Sequence, residues 1–264
     1  MPSARLLFVC AVVAAIAWPT TARAADKVDV AVRGKTLTLT IYTPSTPPRG
    51  TIVMGSGDVG WVGLAASMAD ELSASGYIVV GINVRQYLSA FTSGQSHLET
   101  TTVPGDYRLL IDTLKQSRRL VSPIVVSGVS EGAALAVLAA SDRANHEWID
   151  GVIAMGLPPT AELAWRWTDV GSWITKHDAV EPSFAPKDVI AMVSPVPLCM
   201  IQSTKDEYVP KAEWERLLAA AVEPKKQILI EASNHRFTDK RAELSAAYAA
   251  GLAWIARGAP RRDR

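Results

Sequence analysis

A five-residue turn, Gly128-Val129-Ser130-Glu131-Gly132, constrains this chain more than any other stretch. It lies inside PIVVSGVSEGAALAVLAA, residues 123–140, between a short Val/Ile run and a segment of small and apolar residues. That order reads as buried strand, tight turn and helix, and G-x-S-x-G in this setting is the turn that lifts a serine hydroxyl clear of a sheet. Glycines two residues to either side let neighbouring backbone come close where a Cβ would clash. Serine is a weak nucleophile, so the hydroxyl is useful only beside a base. The rest of the chain must therefore supply a sheet, an acid and a histidine.

The sheet is legible in the change of strand character. Residues 28–32 and 36–42 (TLTLTIY) alternate polar and apolar with period two around the turn Arg33-Gly34-Lys35, which predicts an antiparallel hairpin with one solvated face. Residues 51–54, 77–82, 124–127, 151–155 and 197–202 are instead continuous apolar runs, as expected for parallel strands covered on both faces. Helical stripes separate them: Leu64, Met68 and Leu72 form one, and Tyr107, Leu110, Ile111 and Leu114 another. The last strand is expected at 227–231 and the closing helix at 240–256. Alternation of this kind predicts one α/β domain with right-handed crossovers and helices on both faces of a mostly parallel sheet. An edge hairpin, then a parallel sheet with a serine turn after its third parallel strand, is the α/β-hydrolase layout. The domain is expected over residues 26–257, with a polar tail at 258–264. Residues 158–195 break the pattern, carrying Trp165, Trp167 and Trp173 among five prolines, and are expected to form a small Trp-rich cap.

Residues 1–25 stand outside that domain. A basic Arg5, a 13-residue apolar run at 6–18 and the small-residue pattern Ala22-Arg23-Ala24 are the three regions of a secretory signal peptide, with cleavage expected near Ala24. The run is short of the roughly 20 residues a membrane span requires. Removal of Arg5 and Arg23 from 27 basic residues leaves 25 against 26 acidic ones. A balance so close to neutral excludes nucleic acid as a partner class and offers no polybasic face to a membrane. Cys199, the one cysteine beyond the leader, lies in an apolar run and is read as an inert core thiol.

Two loops fill the remaining slots. In this layout the acid follows a later strand and the histidine follows the last one. The first slot holds Ser203-Thr204-Lys205-Asp206-Glu207-Tyr208; the second holds Ala232-Ser233-Asn234-His235-Arg236-Phe237. Ser130 is the candidate nucleophile and His235 the candidate base. The acid is Asp206 or Glu207, with Asp206 preferred because it follows its strand sooner. His97, His146 and His177 occupy no such slot. Backbone N–H groups of Glu131 and of Asp58, in the glycine-rich loop Gly55-Ser56-Gly57-Asp58-Val59-Gly60-Trp61, are the candidate oxyanion donors. The spacing of that loop fits neither a P-loop nor a dinucleotide fingerprint, and no cofactor or metal is expected. Trp61, Arg85, Trp165 and Trp167 are candidate pocket residues, with Arg85 placed to offset the Asp58 carboxylate.

The loop Ser56-Gly57-Asp58-Val59-Gly60-Trp61 resembles the S-G-D-G-G-W loop of the bacterial virulence protein VirJ/AcvB family of α/β hydrolases. Similarity continues through residues 76–87 (GYIVVGINVRQY) and more loosely through Pro104-Gly105-Asp106-Tyr107, the serine turn and Asn234-His235-Arg236-Phe237. Val59 stands where that family has glycine. The resemblance implies a periplasmic serine hydrolase, with aminoacylated phosphatidylglycerol the substrate suggested for some members. The expectation is an exported enzyme cleaving a small-molecule or lipid ester through a Ser-His-Asp triad, in peripheral contact with membrane lipid. A non-catalytic periplasmic binding or virulence-assembly protein on the same fold is the alternative, as is a peptidase or dienelactone-type hydrolase.

Overall fold

The computed structural model describes residues 25–94, 96–166 and 182–258. The chain opens with β1 (Asp26–Val32) and β2 (Lys35–Tyr42), an antiparallel hairpin in which Val32 faces Lys35 and Asp26 faces Ile41. Arg33 and Gly34 form its two-residue turn with φ of 45° and 77°, the positive angles that match a hairpin's right-handed twist. Next come β3 (Thr51–Gly55), α1 (Leu64–Ala74), β4 (Ile78–Ile82), α2 (Val84–Phe91), α3 (Val103–Gln116), β5 (Ile124–Val129) and α4 (Glu131–Ser141). After β6 (Gly151–Met155), the short strands β7 (Ala161–Glu162) and β8 (Ser183–Phe184) pair only with each other. The remaining elements are β9 (Leu198–Ser203), α5 (Lys211–Ala220), β10 (Lys225–Ile230) and α6 (Arg241–Gly258).

The main sheet has eight strands in the order β1-β2-β4-β3-β5-β6-β9-β10. The β1–β2 and β2–β4 pairings are antiparallel and the rest parallel. Side-chain alternation divides the core between the two faces. Ile124, Val126, Val152, Ala154, Leu198 and Met200 pack on the face covered by α2, α3, α4 and α5. Val125, Val129, Ile153, Met155, Cys199 and Ile201 pack on the face covered by α1 and α6. This explains why those strands read as unbroken apolar runs: both parities are buried. Cys199 is fully buried, and burial pushes its thiol up to about 11.

Asp106, in the first turn of α3, joins the hairpin to the helical layer. Its carboxylate accepts from Arg33 Nε at 2.7 Å and Nη2 at 2.8 Å, and from the Tyr87 hydroxyl at 2.6 Å. The Arg33 guanidinium also lies 3.9 Å over the Phe91 ring. Burial first, and then the Asp106 carboxylate, push the Tyr87 phenol's pKa well above its ordinary value, so the hydroxyl remains a donor.

Of the expected cap, residues 158–166 and 182–195 are described, and Trp167 and Trp173 lie outside the described residues. The Leu163 carbonyl accepts from Leu98 N, Trp165 N donates to Thr92 Oγ1, and Arg166 Nη2 donates to the Gly94 carbonyl. These bonds lay residues 163–166 along the end of α2 and the loop after it. Two short 3₁₀ turns at Pro186–Asp188 and Ile190–Val193 then return the chain to the core through Pro186, Ile190 and Val193.

Asp106→Ala removes one acceptor from three donors and should cost about 3 kcal/mol, the low end for breaking a buried pair, because the Arg33 side chain is 42% exposed. For a chain of this size the melting temperature should fall by roughly 6–12 °C. A melt within about 2 °C of wild type would contradict the role given to Asp106.

Candidate active site

Ser130 stands between the end of β5 and the first residue of α4 with φ 54° and ψ −120°, a strained conformation for a residue with a side chain. Its surroundings hold it there. The Ser130 N–H donates to the Met155 carbonyl at 3.0 Å, and its own carbonyl accepts from Ala133 N and Ala134 N. A Cβ on Gly128 would lie 2.1 Å from the Gly132 carbonyl, and one on Gly132 would lie 2.4 Å from the Ser56 carbonyl. Only glycine at both positions lets the first turn of α4 sit against the ends of β3 and β5.

His235, in the turn after β10, is 6% exposed. Its Nδ1 lies 2.7 Å from Asp206 Oδ2, which fixes the proton on Nδ1 and leaves the Nε2 lone pair available. The same Asp206 oxygen accepts from Gln202 Nε2 at 2.7 Å, and Oδ1 accepts from Tyr208 N and Val209 N, each at 2.9 Å. Four donors thus converge on one carboxylate. Glu207 does something else: its Oε2 accepts from the backbone N–H of His235 at 2.7 Å. The geometry therefore separates the two acids, Asp206 on the ring and Glu207 on the main chain. The Tyr208 ring packs edge-on against the imidazole at 5.3 Å.

His235 Nε2 is buried and has no hydrogen-bond partner, so it does not bond the Ser130 hydroxyl in this structure. Apo sites are often loose in this way. Both residues line one cavity of about 770 Å³, together with Asp58, Val59, Val62, Glu131, Pro158, Tyr208 and Arg236. The loop carrying Asp58 is braced by Ser56, whose buried hydroxyl donates to the Gly57 carbonyl and accepts from Val84 N. Glu131 begins α4, where the first N–H groups of a helix lack partners within it. Its side-chain Oε2 is sealed from solvent without a partner. Burial, and then the charge of Asp58, push the Glu131 carboxyl's pKa up.

The candidate pocket residues need correction. Trp61 is not among the residues lining the cavity: its Nε1 donates to the Tyr42 hydroxyl at 3.1 Å, and its ring lies against the bare backbone of Gly81 in β4. Arg85 and Trp165 do not line it either. The Arg85 guanidinium stacks 4.2 Å over the Trp165 ring, an arrangement that joins α2 to the insertion. The stack is a cation–π contact, and the bond from Trp165 N to Thr92 Oγ1 also ties the insertion to the end of α2. Trp167 lies outside the described residues. Gln202 and Tyr208, which no motif marked, are the additions the structure makes to the site.

The sequence profile of the family described as "Bacterial virulence protein (VirJ)" matches residues 50–247. The chain belongs to the VirJ family. The uncharacterized protein YfhR of Escherichia coli O157:H7 is 30% identical over 156 residues, which is 53% of this chain and 51% of that protein, so the chain spans about half the length of the curated relative it matches. Solved structures with the same fold include the esterase domain of a Rhodothermus marinus protein, at TM-score 0.60 and 17% identity over 89% of this chain and 99% of that one. Est1E of Butyrivibrio proteoclasticus superposes at 0.62 and 14% identity over 87% and 99%. An alpha-beta serine hydrolase homologue of Coxiella burnetii does so at 0.62 and 15% identity over 87% and 98%. The chain thus has the α/β-hydrolase fold, with Ser130, Asp206 and His235 on the loops after β5, β9 and β10.

The division between the two acids has a kinetic consequence. Asp206→Asn should lower ester turnover by roughly 10³- to 10⁴-fold by removing the acceptor that fixes the imidazole tautomer. Glu207→Gln, which keeps an acceptor for the His235 N–H, should cost less than about tenfold, as expected for one neutral-for-charged hydrogen-bond exchange. Equal losses in the two variants would contradict the assignment.

Proposed function

We propose that this protein is an exported serine hydrolase that cleaves a carboxylic ester through an acyl-enzyme on Ser130. One observation carries the reading: the Asp206–His235 contact leaves an unpartnered Nε2 in the same cavity as a strained serine at a helix start. The Ser130 hydroxyl attacks the ester carbonyl while Nε2 takes its proton, and the Asp206 carboxylate stabilises the imidazolium. The backbone N–H groups of Glu131 and Asp58 receive the oxyanion. Collapse expels the alcohol, protonated by His235. Water activated by the same Nε2 then releases the acid and restores Ser130.

The finer reading is an aminoacyl ester of a phospholipid. Two acidic residues, Asp58 and Glu131, and one basic residue, Arg236, are among those lining the cavity. Burial, and then the Asp58 charge, push the Glu131 carboxyl's pKa up. An entering ammonium group would favour its charged form and be held by it. Arg236 would meet a phosphate on the alcohol side. Export rests on the leader pattern at residues 1–25 and is consistent with one buried cysteine beyond that leader, Cys199, which needs no disulfide partner.

The test uses the mature protein with lysyl-phosphatidylglycerol in mixed micelles and, separately, p-nitrophenyl acetate. Release of free lysine by wild type and none by Ser130→Ala is expected. Glu131→Gln should lower lysine release by roughly 10- to 100-fold, the value of a charged hydrogen bond, while changing turnover of the neutral ester far less. Turnover of p-nitrophenyl acetate without lysine release would remove the lipid assignment and keep the esterase. Inertness toward both would overturn the hydrolase reading.

A further inference from the structure

The end of β6 touches both halves of the proposed machinery. The Met155 carbonyl accepts the Ser130 N–H, and the next residue, Gly156, lies directly against the imidazole of His235. A methyl group built on Gly156 would stand 2.7 Å from Cε1, 3.2 Å from Nδ1 and 3.4 Å from Nε2. It would therefore meet the ring at the carbon between its two nitrogens. Neither partner is free to yield. The Gly156 N–H is bonded to the Ile201 carbonyl at 2.9 Å, and its φ is 58°. The imidazole is tied through Nδ1 to a carboxylate that three further donors hold in place, and Tyr208 packs against the ring edge-on.

We infer that Gly156 is a positioning residue for the base: the space left by its missing side chain is the seat that sets where His235 Nε2 points relative to Ser130. The inference rests on the serine-hydrolase reading and deepens it. Ordinary contact with a Cβ begins at 3.4 Å, so an alanine here must displace the ring by about 0.7 Å or break its bond to Asp206. A misplacement of about 1 Å in a catalytic group can cost roughly 10²-fold in rate. Substrate contacts are untouched, so the loss falls on kcat. A glycine that merely tolerates positive φ would behave differently, because its replacement strains the backbone whether or not a ring lies above it.

A double-mutant cycle separates these cases. Turnover of p-nitrophenyl acetate and melting temperature are measured for wild type, Gly156→Ala, His235→Ala and the double variant. Gly156→Ala should lower kcat by roughly 10²-fold with KM within about twofold. In the His235→Ala background the same change should alter the residual rate by less than about twofold. The double variant should also melt above Gly156→Ala, because the clash has gone with the ring. Should Gly156→Ala fail to fold alone, a folded double variant supports the seat. Full kcat in Gly156→Ala, equal losses in both backgrounds, or a double variant that is equally unfolded would each overturn it. Wild-type turnover by His235→Ala would instead overturn the hydrolase reading, which keeps the two failures distinct.

Discussion

Backbone meets backbone where α4 enters the sheet, and much of the molecule is arranged to allow it. Gly128 and Gly132 approach so closely that a single added carbon on either would overlap main-chain atoms, and Gly132 in turn rests on the carbonyls of Gly55 and Ser56. The contact requires a sharp turn, and Ser130 takes the strained angles of that turn. Such strain costs about 1–3 kcal/mol. The helix it launches is buried from Gly132 to Ser141, with Leu135 and Val137 fully enclosed and Leu138 nearly so. Each side chain of that size contributes about 1.5–3 kcal/mol when buried, so the packing of α4 outweighs the strain at its first turn. The partial exposure of Ser130 is thus a by-product of a helix that must lie close to the sheet centre.

The polar half of the site follows the opposite logic. Asp206 and His235 are almost sealed from water, and a buried charge is tolerated only when its lone pairs are occupied. Asp206 meets that condition within its own loop and strand, through Gln202, Tyr208 and Val209, before His235 is added. The imidazole therefore docks on a preformed acceptor. Glu131 is the counter-example: its buried oxygen has no such partner, and its acidity is lowered accordingly. Hydrogen bonding thus ties the Asp206 carboxylate to the histidine, while burial and the charge of Asp58 push the Glu131 carboxyl's pKa up.

Much of this was legible in the sequence. The hairpin, the parallel strands and the closing helix were readable because β3 to β6 and β9 bury both parities and the hairpin sequence alternates, and the slots for Asp206 and His235 follow from strand order. Helix α2 was not anticipated, although Val84, Tyr87, Leu88 and Phe91 follow the i, i+3, i+4, i+7 pattern of a buried stripe. The turn from β4 into α2, capped by the Asn83 side chain, passes without a glycine or proline to mark it. Trp61 and Arg85 misled for a common reason. A large aromatic or a cation in a loop beside the site can be claimed by a structural partner, and neither Tyr42 nor Trp165 is a sequence neighbour of the residue it holds. The contribution of Gln202 was equally hidden, since it depends on a side chain reaching across from a strand end.

The central claim is that Ser130 is a nucleophile activated by an Asp206-oriented His235. Mass mapping of the mature protein after brief exposure to a fluorophosphonate tests it most directly. The account predicts one adduct per chain, on the peptide bearing Ser130, formed orders of magnitude more slowly in His235→Ala. An unmodified protein, an adduct on another residue, or undiminished labelling in His235→Ala would contradict it.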